Sequence, residues 1–209
     1  MEILKKLIVD YPQLSVCERQ INAAFTALHE TISIGGRLYV CGNGGSAADC
    51  QHIVGEMMKG FLKKRPVTLS PEIMQKLSDD TANFLSSKLQ GAIPCHSLTT
   101  ETALITALCN DVSADIMFAQ QIFGYGKPDD CLICISTSGN ATNVCLAAEL
   151  ASAMDIRTIA MTGQDGGKLA KLCHVSIQVP SDITMKIQEY HLPIYHALCA
   201  AIEEVFFVN

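Results

Sequence analysis

Apolar positions along the chain alternate between helical spacing and short continuous runs. Leu14, Val16 or Cys17, Ile21, Ala24, Phe25, Leu28 and Ile32 recur every three or four residues, which predicts a long helix after Tyr11 and Pro12. Gly35 and Gly36 stop it, and Arg37 to Cys41 reads as the first strand. The turn Gly42-Asn43-Gly44-Gly45 follows, with Ser46 placed as the N-cap of a helix that runs out near Gly60. Pro71 to Leu89 is expected to be one helix, with a proline suited to its first turn and Gly91 near its end. A short strand over 92–98 and helices over 99–108 and 114–123 come next.

From Asp130 the order strand, polar turn, helix repeats. Asp130 to Ser136 is a buried strand that opens into Ser136-Thr137-Ser138-Gly139-Asn140 and a helix over 141–153. Arg157 to Met161 is the next strand, followed by Thr162-Gly163-Gln164-Asp165-Gly166-Gly167 and a short helix ending at Leu172. Val175 to Val179 is the last strand, and 183–207 a long terminal helix. Strands alternating with helices predict an α/β fold with a parallel sheet and right-handed crossovers. Ligands of such sheets sit beyond the carboxyl ends of the strands, where all the polar turns fall.

Composition narrows the reading. A chain of 209 residues is expected to form a single domain over 1–209. With 49% hydrophobic and 17% charged residues and a mean hydropathy of +0.25, it is not disordered, and its apolar surplus predicts oligomerisation. A formal charge of −6 argues against nucleic acid as a partner, because covering a phosphate backbone takes a basic face. No apolar run reaches membrane-spanning length, and the amphipathic N-terminus offers no cleavage signal, so a cytoplasmic location is expected. The ten cysteines are scattered singly through apolar segments, as reduced thiols are. The one CxxC, Cys131 to Cys134, lies inside a strand-like run and is not read as a redox or zinc motif. Lys63-Lys64-Arg65-Pro66 is read as a solvated basic loop.

Two features carry candidate chemistry. The 136–140 turn sets three hydroxyls and a glycine before a helix N-terminus, more than capping requires, and this suits a phosphate monoester bound without a metal. Neither GxxxxGK[ST] nor GxGxxG spacing occurs in these turns, so nucleotide binding is not indicated. The second feature is a pair of polar helix faces. His52 and Glu56 lie about 40° apart around one helix, and Gln188 and His196 about 80° apart around the last. Taken alone, His52 and Glu56 are an ordinary surface pair. If the two helices or two subunits meet, the four side chains offer nitrogen and oxygen ligands suited to zinc.

Cys41 to Glu56, Asn110-Asp111, Ile135 to Asn140, Met161 to Gly167 and Ile187 to His191, in this order and spacing, resemble the phosphoheptose isomerases of the sugar isomerase (SIS) family. The resemblance covers most of the chain. It implies a doubly wound, flavodoxin-like sheet sandwiched by helices, to which this chain adds a helical segment near 71–90. It also implies a homotetramer, and the apolar surplus with the long N-terminal and C-terminal helices predicts that helices over 14–34 and 183–207 are buried in its interface. Sugar-phosphate contacts are implied for Asn43, Gly44, Gly45, Glu56, Asn110, Asp111, Ser136, Thr137, Ser138 and Gln188. Metal ligation, by zinc or a similar ion, is implied for His52, Glu56, Gln188 and His196, and acid-base roles for Glu56 and His196. The implied reaction is an aldose-ketose isomerisation, most like that of sedoheptulose 7-phosphate. The chain departs from the family pattern at Ala141 and Met185, lacks an arginine near Gly60, and carries Pro193, expected to kink the last helix or fix its bend. The alternative is a non-catalytic SIS protein resembling the DnaA initiator-associating protein, which lacks counterparts of Glu56 and His196.

Overall fold

The computed structural model describes residues 2–207. Five parallel strands form its sheet in the order β2-β1-β3-β4-β5: β1 Leu38–Gly42, β2 Cys95–Ser97, β3 Cys131–Ile135, β4 Arg157–Thr162 and β5 Val175–Gln178. Every residue of β1 and β3 is buried, which is why both read as unbroken apolar runs rather than alternating ones. After β1 the chain steps outward to the edge strand β2 and then returns across β1 to β3. The order therefore reverses between β1 and β3, whose register pairs Leu38 with Cys131 and Gly42 with Ile135. That reversal opens a crevice beyond the carboxyl ends of these two strands.

Strand side chains alternate between two cores. Leu38, Val40, Ile133, Ile135, Ile159 and Met161 face one layer of helices: α1 (Glu2–Asp10), α2 (Glu18–Ser33), α3 (Gly45–Met58) and α10 (Thr184–Phe206). Tyr39, Cys41, Leu132, Cys134 and Ala160 face the other layer, which includes α7 (Met117–Tyr125), α8 (Thr142–Ala153) and α9 (Leu169–Leu172). The odd spacing of the CxxC sends Cys131 to one core and Cys134 to the other, so it makes no dithiol. Cys134 instead lies with its Sγ 3.9 Å from that of Cys41, its register partner on β1.

Several elements differ from their sequence reading. The first long helix begins at Glu18, and Pro12–Cys17 form a 3₁₀ segment. Leu14 and Cys17, three apart, share one face of that tighter helix and are both buried, so the spacing looked helical throughout. The helix expected over 71–89 is two: α4 (Pro71–Met74) and α5 (Asp79–Lys88). Ser78 starts the second by accepting a hydrogen bond from the Thr81 N–H, with Asp79 and Asp80 favourably placed in the first turn. Only Ala82 of these two helices is buried. The 92–98 strand shrinks to β2, and the following helix α6 spans Thr102–Asp111. Its successor starts as a 3₁₀ turn, Ala114–Ile116, leading into α7. The last helix runs unbroken from Thr184 to Phe206 through Pro193.

The largest correction concerns Arg65, expected in a solvated loop but wholly buried. Its Nε donates to Glu203 Oε1 of α10 at 2.7 Å, while Nη1 donates to the Met57 carbonyl at 2.7 Å and Nη2 to the Glu56 carbonyl at 3.0 Å. The guanidinium thus satisfies two carbonyls that the end of α3 leaves open. Phe207 covers it, 4.4 Å from ring centroid to guanidinium. Glu203 completes the clamp by accepting the backbone N–H groups of Phe61, Leu62 and Lys63 at 2.8, 2.7 and 3.0 Å. Burial pushes the Glu203 carboxyl up, but these donors and Arg65 outweigh it and hold the group below the usual carboxylate range.

Removing one member strands a buried charge, so Arg65→Met should cost about 3–5 kcal/mol of stability in urea unfolding. The double variant Arg65→Met, Glu203→Leu should not recover it. Three backbone N–H groups would lose their acceptor, at about 1–3 kcal/mol each. A single variant within 1 kcal/mol of the parent, about the scale of a surface pair, would show that the clamp contributes little.

His191 on α10 is also fully buried, with Nε2 3.4 Å from the Thr162 carbonyl and Nδ1 without a partner. Burial holds its pKa at about 4, against an ordinary 6.5. Below 6.5 the unfolded chain takes up a proton that the folded ring refuses, so this contribution to stability is lost as pH falls from 6.5 to about 4. The loss should approach about 3 kcal/mol, and His191→Gln should flatten that part of the stability profile.

Candidate active site

Both turns expected at the site emerge at the β1/β3 crevice. After β1, Gly44 takes φ +56° and ψ −121°, a conformation side chains disfavour, and serves as the N-cap of α3 without a capping side chain. Ser46, expected as the cap, is inside the helix and buried. A Cβ on Gly45 would stand 2.5 Å from Gln188 Nε2, so glycine here lets α10 bring Gln188 against the start of α3. Asn43 exchanges two amide hydrogen bonds with Asn143 of α8, at 2.9 and 3.1 Å, tying the first turn to the helix that follows the second.

The second turn, Ser136 to Asn140, is folded by close backbone approach. Gly139 has φ +64°, and a Cβ there would lie 2.1 Å from the Gly166 carbonyl oxygen. The Gly139 carbonyl accepts the Leu169 N–H at 2.9 Å, and Asn140 Oδ1 accepts the Lys168 N–H at 3.2 Å. The 163–167 loop therefore buttresses the hydroxyl turn. Ala141 is the N-cap of α8 and makes no side-chain cap, while Asn143 Oδ1 accepts the Val144 N–H of the first turn at 3.0 Å. Ser138 Oγ accepts the Asn140 N–H at 3.2 Å, while neither Ser136 nor Thr137 is spent on capping α8. Asn110 and Asp111 end the exposed helix α6, bonded to each other at 2.7 Å, and no hydrogen bond joins them to either turn.

The second cluster lies where α3 and α10 cross. His52 Nε2 is 3.3 Å from Glu56 Oε1 and 3.4 Å from His196 Nε2. Glu56 Oε2 is buried without a hydrogen-bond partner, with Lys59 Nζ 3.7 Å away. Burial, and then the neighbouring His52, lower the His196 pKa against an opposing pull from Glu56. That ring is therefore neutral at neutral pH. Phe61, held through its N–H by Glu203, packs its ring 5.4 Å from His196.

Two residues of this cluster had not been singled out. Tyr195 Oη stands 3.0 Å from His52 Nδ1 and 3.2 Å from Asp49 Oδ1, and Asp49 Oδ2 is buried without a partner. Burial, and then the Asp49 charge, raise the Tyr195 pKa, so the phenol keeps its proton. The signal was present: Asp49 precedes His52 by three and Tyr195 adjoins His196, placing both at the helix crossing.

The four expected metal ligands are not gathered in one protomer. His52, Glu56 and His196 converge, but Gln188 lies against Gly45, about 12 Å of helix rise from His196. Among the described residues no three His, Cys, Asp or Glu side chains close around one point as a metal site. The donor chemistry of the trio, two imidazoles and a carboxylate with an unpartnered oxygen, nonetheless matches zinc. Met185, one of the departures from the family pattern, is 68% exposed and joins neither cluster.

A SIS domain profile matches residues 90–200, and a second SIS domain profile matches 14–89. The phosphoheptose isomerase of Rhodospirillum rubrum is 35% identical over 92% of this chain and 89% of its own length. That of Shewanella baltica is 39% identical over 83% of this chain and 77% of its own. Among solved structures, a phosphoheptose isomerase from Neisseria gonorrhoeae aligns with TM-score 0.72 and 31% identity over 96% of this chain and 89% of its own. One from Francisella tularensis aligns with TM-score 0.74 and 28% identity, covering 97% of this chain and 94% of its own.

Proposed function

The chain belongs to the SIS domain family, in its phosphoheptose isomerase branch, and on that premise we propose that it interconverts a ketose phosphate and an aldose phosphate. The reaction is most like that of sedoheptulose 7-phosphate going to D-glycero-D-manno-heptose 7-phosphate. The observation that carries this reading is the meeting of Glu56 and His196, from separate helices, at hydrogen-bonding range of His52. An isomerisation needs one group to take the C1 proton of the ketose and another to move protons at the oxygens. Glu56 takes the C1 proton, leaving an enediol, and returns it at C2. His196, neutral at neutral pH, both accepts and donates at O1 and O2.

The sugar phosphate is held by Asn43, Gly44, Gly45 and Gln188 at the first turn, by Ser136, Thr137 and Ser138 at the second, and by Asn110 and Asp111. The start of α8 supports the phosphate assignment, since the positive end of its helix dipole favours an anion. His52, Glu56 and His196 are the donors we assign to zinc, which when bound would supply Lewis-acid polarisation of substrate oxygens. All ten cysteines are free, which supports a reducing, cytoplasmic setting.

Glu56→Gln should lower turnover of a sugar phosphate by about a hundredfold or more while leaving its binding largely intact. Thr137→Ala should do the reverse, weakening binding measured by calorimetry. Metal analysis of the purified protein should find zinc, reduced in His196→Gln. A parent protein inert towards a panel of ketose and aldose phosphates, yet binding one of them, would instead favour the non-catalytic SIS reading.

We extend the proposal to a homotetramer. Ile3, Leu7, Leu192, Pro193 and Ala200 line a groove of about 390 Å³ between α1 and α10, bordered by His196, and Leu192 is 40% exposed. Light scattering at micromolar concentration should give four times the 22.6 kDa chain mass, and a monomer would refute the assembly.

A further inference from the structure

Three rings surround the His196 imidazole. His52 stands 4.8 Å from it between ring centroids, Tyr195 5.0 Å and Phe61 5.4 Å, with interplanar angles of 85°, 83° and 45°. His52 is carried by α3 and Tyr195 by α10, and the packing of those helices places them. Phe61 has no such support. It lies in the irregular stretch between the end of α3 and Pro66, where neither a helix nor a strand fixes the backbone.

Glu203 fixes that stretch instead. The N–H groups of three successive residues, Phe61, Leu62 and Lys63, converge on its carboxylate at 2.8, 2.7 and 3.0 Å. Successive backbone N–H groups aimed at one point form a concavity for an anion, and here the anion is the chain's own side chain. Glu203 is 1% exposed and Arg65 beside it is wholly buried, so water does not compete for these donors. Because Glu203 and His196 share α10, a loop fastened to the one keeps a set distance from the other. We propose that Glu203 and Phe61 are positioning residues of the acid-base site: Glu203 fastens the 61–63 backbone to α10, and the Phe61 ring so placed holds the His196 ring with Nε2 towards His52.

Substitutions can separate the ring from its apolar bulk, and the carboxylate charge from its shape. Phe61 is half-buried and lines the groove between α1 and α10, so Phe61→Leu keeps an apolar side chain there but removes the flat face against His196. Phe61→Tyr keeps that face. In Glu203, Oε1 accepts the Phe61 N–H and Arg65 Nε, while Oε2 accepts the Leu62 and Lys63 N–H groups. The single oxygen of Glu203→Gln can serve only one of these pairs, and its NH₂ confronts the other. Part of the loop must then come away from α10.

The kinetic consequence rests on the isomerase reading, whereas the anchoring of the loop is measured without substrate. Hydrogen exchange read by mass spectrometry should find the 61–63 amides of the parent protected, although they lie in a loop. In sugar-phosphate turnover, with both Phe61 variants folded by circular dichroism, Phe61→Leu should lower kcat about tenfold and leave KM within about twofold. Phe61→Tyr should recover most of that loss, where a role in packing alone would be served as well by leucine. Glu203→Gln should release the 61–63 amides to exchange and lower kcat at least as far. Adding Phe61→Leu to it should cost little more, because the ring has already left His196. Freely exchanging 61–63 amides in the parent would overturn the proposal even if Glu203→Gln does not fold. So would a Phe61→Tyr variant as slow as Phe61→Leu, or losses that multiply in the double variant. A parent inert towards every sugar phosphate takes the proposal down together with the isomerase reading. An active parent matched in rate by Phe61→Leu removes the positioning role and leaves that reading standing.

Discussion

The arrangement of the molecule depends on where α3 ends against α10, and the buried Arg65–Glu203 pair fixes that point. Arg65 bonds the carbonyl of Glu56 itself, so the last turn of the helix that carries the candidate base is held from beneath. Glu203 lies seven residues beyond His196 on α10, close to two turns along the same helix. One ion pair thereby sets both the depth of Glu56 and the height of His196. The same carboxylate gathers the Phe61–Lys63 backbone, and Phe61 closes over the His196 ring. Burying two charges is costly, and here Glu203 accepts four hydrogen bonds and the Arg65 guanidinium donates three, which is the condition under which such a pair persists.

The sheet supplies the other half of the site. Because the strand order reverses between β1 and β3, the turns after these strands part around one crevice, and each begins a helix with no capping side chain. Glycines at 44 and 139 permit the two turns, and Asn43 with Asn143 joins them. Gln188, packed on Gly45, belongs with this crevice rather than with the imidazoles. A candidate handle for an anion and a candidate acid-base pair thus lie at different ends of the same helix, α3: its start at the crevice and its final turns at the crossing with α10.

Local sequence determined the parallel α/β order, the unbroken apolar strands at 38–41 and 131–135, and both polar turns, because each depends on hydrophobic period and glycine placement within a few residues. It also identified His52 with Glu56, since four residues on a helix fix a shared face without any tertiary knowledge. The family motifs supplied His196 as their partner. What sequence misjudged were matters of burial and long-range pairing. Arg65 looked like one more cation in a basic loop, because nothing near it reveals a glutamate at 203. The helix expected at 71–89 was broken at Ser78, where a cap outcompeted continuation in a segment with almost no core contact to hold it straight. Gln188 and His196 share a helical face, but only the tertiary structure showed that the start of α3 meets one and its end the other. The contacts of Tyr195 with His52 and Asp49 likewise lay beyond sequence, because both partners come from α3 and are brought to it by the packing of α10.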